Sequence, residues 1–175
     1  MDSKTLIIRS AISVFATHGK VKTSMAMIAK HAHVSKPLLF HHFSNKHNLY
    51  EATFTYAMQA IHSIKHQFMN DDTNFFDKIY RVQVAKYELE RSIPNIFKFV
   101  LLAVPETPSL PQYPFSEKDL SCFKPNIDPQ FIYQWLYVMS LGYSQLLKDG
   151  IAWEQVYQDY AQAFEYIKKI AMKGA

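Results

Sequence analysis

Residues 30–47 concentrate the side chains that could do chemistry. Lys30, Lys36 and Lys46 are cations, and His31, His33, His41, His42 and His47 add ring nitrogens. Such a set can bind an anion or ligate a metal. For a metal, the spacing lacks cysteine or carboxylate partners. Histidines that donate to phosphate explain the cluster more simply, and a metal-binding or metal-sensing protein is kept as the alternative. Charge along the chain favours the anion. Residues 1–48 also hold Lys4, Arg9, Lys20 and Lys22, with Asp2 as the one acidic side chain, while the rest carries 12 basic and 14 acidic residues. A basic front and a mildly acidic back point to a polyanionic partner for the front.

Catalytic arrangements are missing. There is no Gly-rich phosphate loop, no G-x-S-x-G elbow and no carboxylate pair at a telling position. Cys122, the single cysteine, sits in a proline-rich stretch with no histidine after it. The expectation is a protein that is not an enzyme, needs no cofactor and holds no metal.

The elements that must position the basic side chains are short helices. Met25–Phe43 reads as two of them across a tight turn, with apolar residues at Met25, Ile28 and Ala29, then Val34, Leu38 or Leu39, and Phe43. Ser24 and Ser35 can N-cap the two helices, and Pro37 suits the first turn of the second. This spacing is the helix-turn-helix, whose second helix fits the DNA major groove. Ser35, Lys36, Pro37, Leu38 and His41 fall on its leading and exposed side. Lys36 could donate to guanine, and Pro37 or Leu38 could pack on a thymine methyl. Leu39 and Phe43 read as core.

Before this pair, Thr5–Thr17 carries an apolar stripe of Leu6, Ile7, Ala11, Val14 and Phe15, with Ser3 as the expected cap and Gly19 as the stop. After it, Ser44 or Asn45 can cap a long helix to about Phe68. A helix at 75–92 follows, then one opened by Pro94. The six prolines between Val104 and Pro129 forbid continuous helix, and one helical turn is expected near Ser116–Cys122. Two strongly apolar helices close the chain, at about 129–148 and 152–171. The 175 residues are 49% hydrophobic with four glycines, so an all-α globular protein is expected. No apolar run approaches about 18 residues, and the first ten residues do not read as a secretory signal. One cysteine forbids an intrachain disulfide, and a cytoplasmic location is expected.

The pattern Ile8-x-x-Ala11-x-x-x-Phe15-Ala16-x-x-Gly19, Thr23-Ser24-Met25-x-x-Ile28-Ala29, Val34-Ser35-Lys36, Leu39-Phe40-His41-His42-Phe43-x-x-Lys46-x-x-Leu49 resembles the DNA-binding domain of TetR/AcrR-family transcriptional regulators. The resemblance implies a three-helix DNA-binding domain at 1–48 and a helical ligand-binding and dimerisation bundle at 49–175. It implies a homodimeric repressor, paired through helices at about 128–148 and 153–172, that a small apolar or aromatic ligand releases from a palindromic double-stranded operator. Thr23, Ser24, His42 and Lys46 would then meet phosphate. Tyr87, Phe97, Val100, Leu101, Trp135, Tyr137, Met139 and Tyr143 are the expected lining of the effector site, with Tyr87 and Tyr137 as its polar handles. Three positions depart from the family pattern. His33 replaces a turn glycine, Phe40 a tyrosine whose hydroxyl could reach phosphate, and Pro37 a small residue.

Overall fold

A computed structural model describes residues 2–69, 72–103, 111–149 and 151–174. Among them are nine α-helices and no strand: α1 (Ser3–Lys22), α2 (Met25–His31), α3 (Lys36–His42), α4 (Lys46–Met69), α5 (Phe75–Ser92), α6 (Ile96–Ala103), α7 (Glu117–Ser121), α8 (Pro129–Lys148) and α9 (Trp153–Ala171). They form two compact units, one of residues 1–64 and 88–107, the other of 65–87 and 108–175.

The first unit is built on α1. Its N-cap is Asp2 rather than Ser3. The Asp2 carboxylate accepts from the Thr5 amide at 2.8 Å and the Thr5 hydroxyl at 2.9 Å. The bond from the Thr5 amide holds that carboxyl below its ordinary range. The helix breaks at Gly19, whose φ of +74° suits a residue without Cβ. Ile7, Ile12 and Phe15 of α1 pack with Ile28 of α2, Leu39 of α3 and Leu49 of α4. Phe15 meets Tyr50 edge-on at 5.0 Å and stacks on Phe99 at 6.1 Å. Thus α6 completes this core, together with Ile93 and Ile96. Arg9 donates to the Ser92 carbonyl and the Ser13 hydroxyl to the Pro94 carbonyl. Pro94 lies in the turn before α6 and does not open the helix. The Glu90 carboxylate takes the Asn95 and Phe97 amides there, at 2.8 and 3.4 Å.

The second unit is dense in aromatic rings. Phe75 lies 5.2 Å from Phe76 and 5.1 Å from both Tyr113 and Phe123. Ile132 and Leu136 of α8 and Tyr160, Phe164 and Ile167 of α9 fill the same core. The turn expected near Ser116 is α7, opened by a capping box in which Ser116 and Asp119 exchange side-chain and backbone bonds. Lys78 of α5 donates to Asp119 at 3.1 Å, with side chains only 7% and 3% exposed. Of the loop prolines, Pro105 and Pro108 fall outside the described residues, as does Gly150 after α8.

The turn between α2 and α3 contains His33 at φ +52°. A side chain there crowds the neighbouring carbonyl. His33→Gly is therefore expected to stabilise the protein by about 0.5–1 kcal/mol, read from urea denaturation. Unchanged or lower stability would mean that the histidine side chain offsets its own strain.

Candidate nucleic-acid interface

The helix-turn-helix forms for the local reasons expected. The Ser24 hydroxyl accepts the Met27 amide and the Ser35 hydroxyl accepts the Leu38 amide, each at 3.2 Å. Both serines are exposed, and each keeps its hydroxyl hydrogen for an outside acceptor. Pro37 occupies the first turn of α3. Leu39 and Phe43 point inward, 0% and 5% exposed. Lys36, Pro37 and His41 face solvent. Phe40 is 49% and Leu38 36% exposed, so the face away from the core carries two large apolar side chains.

Three expected phosphate ligands sit differently from a free surface group. Thr23 is buried, and its hydroxyl donates to the Gly19 carbonyl at 2.8 Å. Its side chain closes the break in α1 and does not face outward, which corrects the expectation of a hydroxyl aimed at phosphate. Lys46 is half-buried, its ammonium donating to the Val21 and Thr23 carbonyls at 3.1 and 3.0 Å. Two of its three hydrogens thus tie α4 to the link between α1 and α2, and one stays available. The His42 ring Nε2 lies 2.8 Å from the Ser3 hydroxyl. The sequence marks Ser3 only as a cap candidate for α1, because a lone serine at that distance from α3 has no spacing that predicts contact. Lys46→Ala is expected to weaken binding to all duplexes about equally and to lower the salt slope by about one. A measured slope equal to the parent's would reduce Lys46 to its role as an internal tie.

Among the described residues no group of three or more His, Cys, Asp or Glu is placed to hold an ion. His47 instead lies 3.8 Å from Glu51, one helical turn on. Burial pushes the Cys122 thiol up, away from the reactive thiolate. None of the described helices is long and apolar enough to cross a membrane.

The expected effector-lining residues fall in both units. Phe97 and Val100 are half-buried in the first. Leu101 is 42% exposed and Trp135 50%, so these two stand on helix faces turned from their own cores. Tyr87 is buried in the second unit, and Tyr137 is half-buried on α8. Met139 and Tyr143 line a hollow of about 670 Å³ between α8 and α9, with Gly142, Leu146, Ala163 and Tyr166.

A basic three-helix front with a capped helix-turn-helix is the arrangement of a DNA-binding module, and a set of further helices follows it. Residues 7–53 match the bacterial regulatory proteins of the tetR family. That match covers the segment from α1 into the start of α4, with the helix-turn-helix inside it. An uncharacterised HTH-type transcriptional regulator of Bacillus subtilis (strain 168), YhgD, is 27% identical over 92 residues, 53% of this chain and 48% of the relative. The matched part thus spans about half the length of that curated relative. Solved structures share the fold across nearly the whole chain. The TetR family protein CprB from S. coelicolor A3(2) superposes with a TM-score of 0.68 at 19% identity, over 98% of this chain and 89% of CprB. The ketosteroid transcriptional regulator KstR2 of Mycobacterium tuberculosis gives 0.65 at 13% identity, over 98% and 96%. A SmeT–triclosan complex gives 0.63 at 14%, over 99% and 93%.

Proposed function

We propose that this regulator is a homodimeric repressor that leaves a palindromic operator when a small apolar or aromatic ligand binds. The observation that carries the reading is an apolar stripe left in solvent on α8. Phe131, Trp135, Val138, Leu141 and Leu146 are 39–60% exposed, and Tyr166 and Ile170 of α9 are 62% and 60% exposed. A second copy on the same two helices would bury all of these in a four-helix bundle, and would seat on the hollow beside Gly142. Two protomers also supply the second recognition helix that a palindrome demands.

In this reading residues 1–48 are the DNA-binding domain, and residues 49–175 bind ligand and dimerise. Ser24, Ser35, Lys36, Pro37, Leu38, Phe40, His41, His42 and Lys46 contact DNA. The effector occupies the helices from residue 50 onward and shifts the balance between DNA-competent and incompetent spacings through α4. The names of two structural relatives, a triclosan complex and a ketosteroid regulator, support an apolar ligand class. Such work on DNA is done in the cytoplasm.

Light scattering at micromolar protein, with gel shifts on the upstream intergenic DNA against a scrambled duplex, tests the reading. The parent runs as a dimer and binds as two protomers per palindrome. Trp135→Glu runs as a monomer and binds about 100-fold more weakly, through loss of the linked second site. A parent that is monomeric yet binds specifically would overturn the dimer. A panel of apolar aromatic compounds, none of which releases the operator, would overturn the ligand class.

A further inference from the structure

Base edges are read most sharply by paired hydrogen bonds. Lysine makes them to guanine, and Lys36 is the one lysine of α3. The rigid planar side chains make them as arginine on guanine and asparagine or glutamine on adenine. In the first 50 residues the side chains of these planar types are Arg9, Asn45 and Asn48. None is on α3. Arg9 donates to the Ser92 carbonyl. The Asn45 side-chain oxygen accepts the Asn48 amide at 2.9 Å, and the Asn48 side chain donates to the Ser44 hydroxyl at 2.8 Å. Both asparagines are thus committed to the start of α4.

What α3 turns outward is largely apolar. At about 3.6 residues per turn, Pro37 and His41 stack as a ridge, with Phe40 on one flank and Leu38 on the other. Leu39 and Phe43 lie on the opposite side, in the core. Lys36 and His41 are the two exposed side chains of α3 that can hydrogen-bond. Large apolar side chains standing together on a binding face mark surface that will be covered. In the major groove the apolar group that distinguishes one base from another is the thymine methyl.

We propose that each operator half-site is recognised chiefly through thymine C5-methyl groups, packed by Phe40 and Leu38 on either side of Pro37. Lys36 and His41 add hydrogen bonds. The proposal rests on the DNA-binding role of α3 given above, from which its half-sites are taken, and on no property of the effector.

The experiment uses the full-length protein. A random duplex library is selected to find its preferred sequence, and individual thymines in that duplex are then replaced by uracil, which deletes only the methyl. At the contacted positions affinity falls about threefold to fivefold per methyl, as expected for one buried apolar carbon. The salt slope does not change, because no phosphate contact is altered. Phe40→Ala and Leu38→Ala each lose the distinction between thymine and uracil at one position and keep it at the other. Uracil operators that bind the parent as tightly as thymine operators at every position would overturn the proposal. So would a uracil penalty that survives in both variants. The uracil series on the parent protein does not depend on either variant folding. A library that yields no preferred sequence would instead overturn the DNA-binding role itself.

Discussion

A Lys78→Ala protein is expected to lose about 3–5 kcal/mol of stability in urea denaturation followed by circular dichroism. The loss does not measure an attraction between two surface charges. Lys78 and Asp119 are 7% and 3% exposed, and removing the ammonium strands a carboxylate in an aromatic core. Replacing both, as Lys78→Met with Asp119→Leu, removes the stranded charge and should recover most of the loss. About 1 kcal/mol would remain, because Asp119 also serves the cap of α7. Equal losses in the single and double variants would mean that the pair is not coupled.

The same carboxylate sets an acid limit. Burial raises the Asp119 pKa, but the bonds from Ser116 and from Lys78, with the charge of Lys78, outweigh it. The group is held below its ordinary 3.8. A depressed carboxylate adds stability that is complete above the unfolded value and is lost as pH falls through the folded one. The second unit should therefore begin to loosen below about pH 4, and Asp119→Asn should flatten that part of the profile.

Phe15→Ala is expected to cost the first unit about 3–5 kcal/mol and to abolish operator binding in a gel shift. Phe15 is 2% exposed and fills the space between Tyr50 and Phe99, so its loss leaves a cavity walled by rings that cannot close in together. Leu101→Ala, at a residue 42% exposed, is the matched control and should cost under about 0.5 kcal/mol. A loss below about 1 kcal/mol at Phe15 would show that the core collapses around the gap.

Much of this architecture is legible in local chemistry. Ser24, Ser35 and Pro37 mark the two short helices because caps act over three residues. The cap at Ser44 or Asn45 marks α4, and Ser116 marks α7. What is not legible acts at long range or depends on small competing groups. Asp2 and Ser3 both suit a cap, and their spacing to Thr5 decides between them only in three dimensions. Thr23 fits the family pattern on α2, yet its hydroxyl serves α1. The union of Ser3 with His42, and of α6 with α1, depends on the path of the chain, which periodicity does not encode. Leu101 and Trp135 are apolar in an apolar pattern, and the pattern alone does not say which stripe faces inward.

The completion of the first core by α6 has a consequence for biosynthesis. Ser13 and its partner Pro94 stand 81 residues apart, and Phe99 arrives later still. At about 5–20 residues per second, roughly 4–16 s of translation separate the synthesis of α1 from that of the segment that covers it. For that interval Phe15, Ile12 and Tyr50 lack part of their cover on the nascent chain. The recognition helix is made well before the segment that closes its scaffold, and a ribosome-bound holdase would have its substrate there.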